Sequence, residues 1–138
     1  MGLGRVLVVD DEAAIRKSLR LVLTQAGYDV VEAEDGEKGV AAIKKSDENA
    51  MLVDVIICDL YMPKMNGMEA IAYFHLQFPS VPVIVLTGTP DLQKAKLLKT
   101  EQGVMDYLVK PVQPEQLMAA VHKAAFQKAV KGHVFFAT

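Results

Sequence analysis

The sequence predicts a doubly wound α/β sandwich, a parallel five-stranded sheet with helices on both faces. Three observations carry that prediction. Five short apolar runs alternate with five segments of helical periodicity, and no linker, internal repeat or low-complexity stretch interrupts them. The central run, Val55 to Cys58, is apolar throughout, as expected of a strand buried on both faces. Parallel strands need crossover connections, and right-handed crossovers put helices on both sides of the sheet while gathering all strand ends on one edge.

The first run, Arg5-Val6-Leu7-Val8-Val9-Asp10, is read as a strand over about 5–10. Ile15, Leu19, Val22, Leu23 and Ala26 then recur at helical spacing, with Arg16, Lys17 and Arg20 on the other side, and Gly27 stops the helix. Tyr28 to Ala33 is the second strand, and Asp35-Gly36 turns the chain into a helix beginning near Glu37 and clear to about Lys45. Residues 46–53 fit no period, so a longer helix and an exposed loop both stay open. The third strand is placed at 54–59. A third helix starts at Gly67, shows Met68, Ile71, Phe74 and Phe78 on one side, and ends at Pro79. Val83 to Thr87 is the fourth strand. The fourth helix, about 91–101, is rich in lysine and has the weakest apolar stripe. A fifth strand at 105–109 leads through Lys110-Pro111 into a helix from about Pro114 to Lys131. Gly132 is expected to stop it, leaving residues 132–138 as a short tail.

Composition narrows the function. A chain of 138 residues, 51% hydrophobic, is expected to form one domain over 1–138, with its core at about 5–131. A net charge of −2 offers no basic surface for nucleic acid. No apolar run approaches the ~20 residues of a membrane span. The single cysteine, Cys58, can close no internal disulfide, which fits a reducing cytoplasm, and inside a strand it reads as packing.

Four strand ends carry reactive groups: Asp10-Asp11, Asp59, Thr87 and Lys110. Each has a plainer explanation, with Asp11 as a helix cap, Thr87 as a strand-end hydroxyl and Lys110 as a solvated charge. Their convergence on one rim argues for chemistry. Two carboxylates about 4 Å apart repel by roughly 4 kcal/mol at an effective dielectric near 20, equal to about three pKa units. Such a cluster must take up protons, recruit a cation or use Lys110, and carboxylates with water suit Mg²⁺. Asp59 then keeps an oxygen free to attack phosphorus, while Lys110 and the ion offset charge on the transferring group. Thr87 can bond a phosphoryl oxygen.

The chain resembles the receiver domains of two-component response regulators over about residues 5–130. The resemblance is carried by Val8-Val9-Asp10-Asp11-Glu12, by Asp35-Gly36, and by Asp59 with Met62-Pro63 and Gly67. Thr87-Gly88 and Tyr107-Leu108-Val109-Lys110-Pro111 complete it. It implies a flavodoxin-like three-layer sandwich with strand order 2-1-3-4-5. It implies Asp59 as phosphoacceptor, with Asp11, Asp59 and the Tyr61 backbone carbonyl ligating Mg²⁺ and Asp10 acting mainly through water. Thr87 and Tyr107 look like the family's switch pair, Lys110 its phosphoryl ligand, and the Lys110-Pro111 bond is expected to be cis. Tyr61 and Thr89, two residues past Asp59 and Thr87, take the places that tune phosphoryl lifetime, and a tyrosine there implies slow self-dephosphorylation. The implied donor is a sensor histidine kinase or a histidine phosphotransfer protein. The implied output is a change in the surface of helix 4, strand 5 and helix 5, read by an output domain, a target protein or a second copy.

Two departures limit the transfer: the segment from Gly36 to Asp59 is several residues long for the family, and Gly103-Val104 replaces Gly-Ala. Other readings fit less well. A haloacid-dehalogenase-like aspartyl phosphatase needs Asp-x-Asp after strand 1 and a cap insertion, and this chain has Asp10-Asp11-Glu12 and no such insertion. A flavodoxin-like cofactor binder needs a phosphate-cradling loop there, and Asp10-Asp11 would repel phosphate. An inert receiver-like dimerisation module would be expected to have lost the acids or the lysine.

Overall fold

The computed structural model describes residues 3–137, with side chains to 129. Ten elements alternate: β1 Gly4–Val9, α1 Ala13–Gln25, β2 Tyr28–Ala33, α2 Gly36–Glu48, β3 Val55–Cys58, α3 Gly67–Gln77, β4 Val83–Thr87, α4 Leu92–Glu101, β5 Asp106–Val109 and α5 Pro114–Ala137. The strands form one parallel sheet in the order β2-β1-β3-β4-β5. The expected architecture and order are the observed ones.

Successive strand residues face opposite ways, so the apolar runs feed two cores at once. Leu7, Val9, Ile56, Cys58, Val83 and Val85 pack with Ile43 of α2, Ala70, Ile71 and Phe74 of α3 and Leu98 of α4. Val6, Val8, Val55, Ile57, Ile84, Leu86 and Leu108 pack with Leu19 and Leu23 of α1 and Leu117, Val121 and Ala124 of α5. Burying one such aliphatic side chain stabilises the fold by roughly 1.5–3 kcal/mol.

Helix starts are fixed locally. Asp35, Asn66 and Asp91 cap α2, α3 and α4, each accepting from the backbone N–H three residues on. At α1 the cap position is Glu12, without a side-chain cap bond; Asp10 instead accepts from the Glu12 N–H at 2.9 Å. The capping explanation of Asp11 therefore fails, which leaves its exposed carboxylate available.

One open point is decided and two expectations are corrected. Residues 46–48 extend α2, and the chain then reverses through Ala50 in the left-handed region (φ 56°), with the Met51 N–H bonded to the Ser46 carbonyl at 2.8 Å. The extra length thus lies at the N-terminal edge of the sheet, away from Asp59. Gly132 does not stop α5, which continues to Ala137. An interior glycine costs only about 1 kcal/mol relative to alanine, and no proline follows to enforce a stop. Arg16 does not point away from the sheet as its place opposite the apolar stripe suggested; its side chain is 16% exposed and reaches the end of β1.

Candidate functional site

Strand register assembles the site. Val9 pairs with Cys58, and the Asp59 N–H bonds the Val9 carbonyl at 2.9 Å, so Asp10 and Asp59 leave adjacent strands side by side. Thr87 pairs with Val109, and the Lys110 N–H bonds the Thr87 carbonyl at 2.8 Å. Each functional side chain thus hangs on a backbone ladder rather than on a free loop. The start of α3 closes in from above. A Cβ on Gly67 would lie 2.0 Å from the Asp59 carbonyl oxygen, so only glycine lets the helix approach so closely.

Asp10, Asp59 and Thr87 are buried, at 2%, 5% and 0% exposure. The Lys110 ammonium sits among three carboxylates, 2.8 Å from Asp10, 2.9 Å from Glu12 and 3.3 Å from Asp59. The Lys110-Pro111 bond is cis. Burial alone would lower the pKa of Lys110, but hydrogen bonds to Asp10 and Glu12 more than reverse this and hold it above the ordinary lysine range. Asp59 is pushed above the ordinary carboxylate range, chiefly by burial and further by Asp10, because one ammonium does not compensate for both. The Cys58 thiol is raised by burial and by the same two aspartates, so it is packing and not a nucleophile.

Asp10, Asp11, Glu12 and Asp59 each place a carboxylate oxygen within 4.8 Å of the others. Three of these four carboxylates share the Lys110 ammonium, and Asp11 and Glu12 are exposed. An all-oxygen donor set with a wet side fits a hard divalent cation that keeps part of its water shell, as Mg²⁺ does. The residues present therefore fit the ion that the sequence implied.

The remaining predicted residues line the same rim. The Tyr61 N–H reaches an Asp59 carboxylate oxygen at 3.4 Å, and the Tyr61 ring is 45% exposed. The Thr87 hydroxyl oxygen accepts from the Thr89 N–H at 3.1 Å. Tyr107, half-buried on β5, accepts from the Asp91 N–H at 3.3 Å through its hydroxyl oxygen. Sequence reasoning missed three partners. Glu12 holds Lys110, and its place beside the acidic pair was the available signal. Arg16 donates to the Asp10 carbonyl at 2.7 Å and to Glu32 at 3.2 Å, bracing the end of β1. Lys94 donates to the Tyr61 hydroxyl at 2.9 Å, a contact with no short-range pattern to announce it.

The family model described as the response regulator receiver domain matches residues 6–122. The chain belongs to that family. This receiver domain is 38% identical over 126 residues to the transcriptional regulatory protein GlrR of Escherichia coli K12, covering 91% of this chain and 27% of that one. It is 34% identical over 122 residues to the chemotaxis protein CheY of Thermotoga maritima, covering 88% of this chain and 97% of that one. A crystal structure of a CheY-like receiver domain protein from Methanospirillum hungatei JF-1 superposes with a TM-score of 0.85 at 27% identity, covering 94% and 99% of the two chains. The receiver domain spans about a quarter to a half of the length of the first curated relatives it matches. Receiver domains are signalling switches of two-component systems, so neither the phosphatase nor the inert-module reading is favoured. Among the described residues, no helix is long and apolar enough to cross a membrane.

Proposed function

We propose that residues 1–138 act as a single cytoplasmic receiver domain whose Asp59 accepts a phosphoryl group from a phosphohistidine donor. One observation carries the proposal: the buried Asp59 carboxylate shares the Lys110 ammonium with Asp10, its neighbour across the β1–β3 ladder. An oxygen of Asp59 attacks phosphorus, the bond from phosphorus to the donor imidazole breaks, and its electron pair returns to the ring nitrogen. The product is an aspartyl phosphate. Lys110 pairs with a phosphoryl oxygen as charge develops, and the Thr87 hydroxyl donates to another. Asp11, Asp59 and the Tyr61 carbonyl would hold Mg²⁺ directly, with Asp10 acting through water. When bound, the ion supplies charge neutralisation at the transferring group. The chain catalyses only its own phosphorylation and its own return to the free carboxylate.

Phosphorylation adds a charge of about −1.5 to −2 and three acceptor oxygens. Thr87 gains a hydrogen bond by turning toward them, Tyr107 moves into the space it leaves, and the α4–β5–α5 surface changes. Exposed Leu92, Leu97 and Val109 give that surface apolar ground for an output domain, a target protein or a second copy. A sensor histidine kinase or histidine phosphotransfer protein is the partner upstream.

The test is incubation with Mg²⁺ and acetyl phosphate or phosphoramidate, read by intact mass. A gain of one phosphoryl group that disappears in Asp59→Asn is expected. A gain that survives this substitution would place the acceptor elsewhere.

A further inference from the structure

The first turn of α4 carries a cation where a helix least favours one. Asp91 caps the helix by accepting from the Lys94 N–H at 3.1 Å, so Lys94 stands at the third helical position. The unpaired amides there are electropositive, and glutamate or glutamine is the residue that complements them. The Lys94 ammonium instead reaches out of its own helix. It donates to the Tyr61 hydroxyl at 2.9 Å and lies 4.8 Å from the ring centroid. Tyr61 is tied at its other end to the phosphoacceptor, its N–H reaching Asp59 at 3.4 Å. The contact thus links the loop after β3 to the helix after β4, across the strand ends that carry Asp59 and Thr87. Tyr107 meets the same turn through the Asp91 N–H. Two aromatic arms, one from the loop after β3 and one from β5, therefore end within three residues of each other at the start of α4.

We propose that Lys94 is a positioning residue of the phosphorylation site: by holding the Tyr61 hydroxyl it fixes the ring beside Asp59 and ties the lifetime of the aspartyl phosphate to the position of α4. Tyr61 is 45% exposed even with its hydroxyl held, so without that bond its ring is free to change rotamer. A tethered ring stays beside the acyl phosphate and excludes water from one approach. Decay is attack of a water oxygen on phosphorus, with cleavage of the bond to Asp59, departure of its carboxylate and loss of a proton to solvent. Any partner that draws α4 from its resting place releases the tether and shortens that lifetime.

The inference rests on Asp59 being the phosphoacceptor, and the experiment separates the two. Protein phosphorylated with acetyl phosphate is freed of donor, and decay of the phosphorylated mass is followed in four variants. Tyr61→Phe keeps the ring without the hydroxyl, and Lys94→Met keeps the stem without the ammonium. Each should speed decay about three- to tenfold, the scale of one exposed charge-assisted hydrogen bond. The double variant should be no faster than either single one, and Lys94→Arg should restore slow decay. In the unphosphorylated protein, Lys94→Met should also speed amide exchange in residues 92–98. A parent that takes up no phosphoryl group overturns the acceptor assignment and this inference with it. A parent that is labelled at Asp59, while Lys94→Met decays at the parent rate or the two effects multiply, overturns the inference alone.

Discussion

Asp59 sits in a site built to hold more negative charge than the chain neutralises. Its carboxyl titrates above the ordinary range because burial dominates and Asp10 adds to it, with Lys110 only partly offsetting both. A carboxylate whose folded pKa exceeds its unfolded value opposes folding once it ionises. That cost is absent below the unfolded pKa, grows between the unfolded and folded values, and is fully present above the folded one. In chelator, Asp59→Asn should therefore melt above the parent at pH 7, with the gap closing as pH falls toward 3; a gap that widens in acid would contradict the assignment. Phosphorylation of the parent should likewise fade on acidification at a higher pH than an ordinary aspartate dictates. Asp11 makes the complementary case. It is exposed and uncapping, so Asp11→Ala should leave the melting temperature unchanged or raised while weakening Mg²⁺ binding by about 10–100-fold or more, as titration calorimetry would show. Normal phosphorylation of that variant would sink the metal assignment. These residues were legible in the sequence because each stands where an apolar run ends. Lys94 and Arg16 were not, because a side chain's reach across elements leaves no periodic trace.

At the scale of elements, caps and close approaches decide where the chemistry hangs. Gly67 is the sharpest instance, since a methyl there would meet the Asp59 carbonyl oxygen at 2.0 Å and the Leu60 Cα at 2.5 Å, both backbone. Gly67→Ala should cost about 2–3 kcal/mol in chemical denaturation and slow phosphorylation as well, because α3 can retreat only by moving the Asp59 backbone. Loss of stability with full phosphorylation would show that α3 and Asp59 are less tightly joined. The strands were readable as short apolar runs, most of them unbroken, and the helices between them by apolar residues recurring at helical spacing. The undecided stretch at 46–53 was not, since its polar turn of helix carries no apolar stripe and its reversal uses Ala50, a residue without turn preference. The expected stop at Gly132 misread a tolerated interior glycine as a terminator.

Across the whole molecule, the two cores and the sheet form a frame against which α4 is the lightest attachment, with Leu98 its one fully buried residue. A switch should move the segment least firmly anchored. Beryllofluoride bound at Asp59 should perturb the amides of residues 88–110 and the start of α5 while α1 and α2 barely respond. An NMR titration whose changes stay within the acidic pocket and never reach Tyr107 would remove the switch. Differential interactions of about 1–3 kcal/mol suffice to alter partner affinity five- to 150-fold.

The sharing of one ammonium among Asp10, Glu12 and Asp59 also bears on how the chain reaches its native state. Glu12 and Lys110 lie 98 residues apart, so the contact exists only after every crossover has closed. Parallel sheets assembled from such distant pieces are slow to form, because loop entropy is lost before the contacts that reward it are made. Until β5 docks and brings Lys110 in, acids already joined by β1 and β3 repel one another without their ammonium. A divalent cation should then act on the kinetics as well as the equilibrium. Refolding in millimolar Mg²⁺ should be faster than in chelator, and the melting temperature should rise with the logarithm of the ion concentration. Both responses should vanish in Asp11→Ala. An ion that slowed unfolding alone would show that the acidic rim closes only after the barrier is passed.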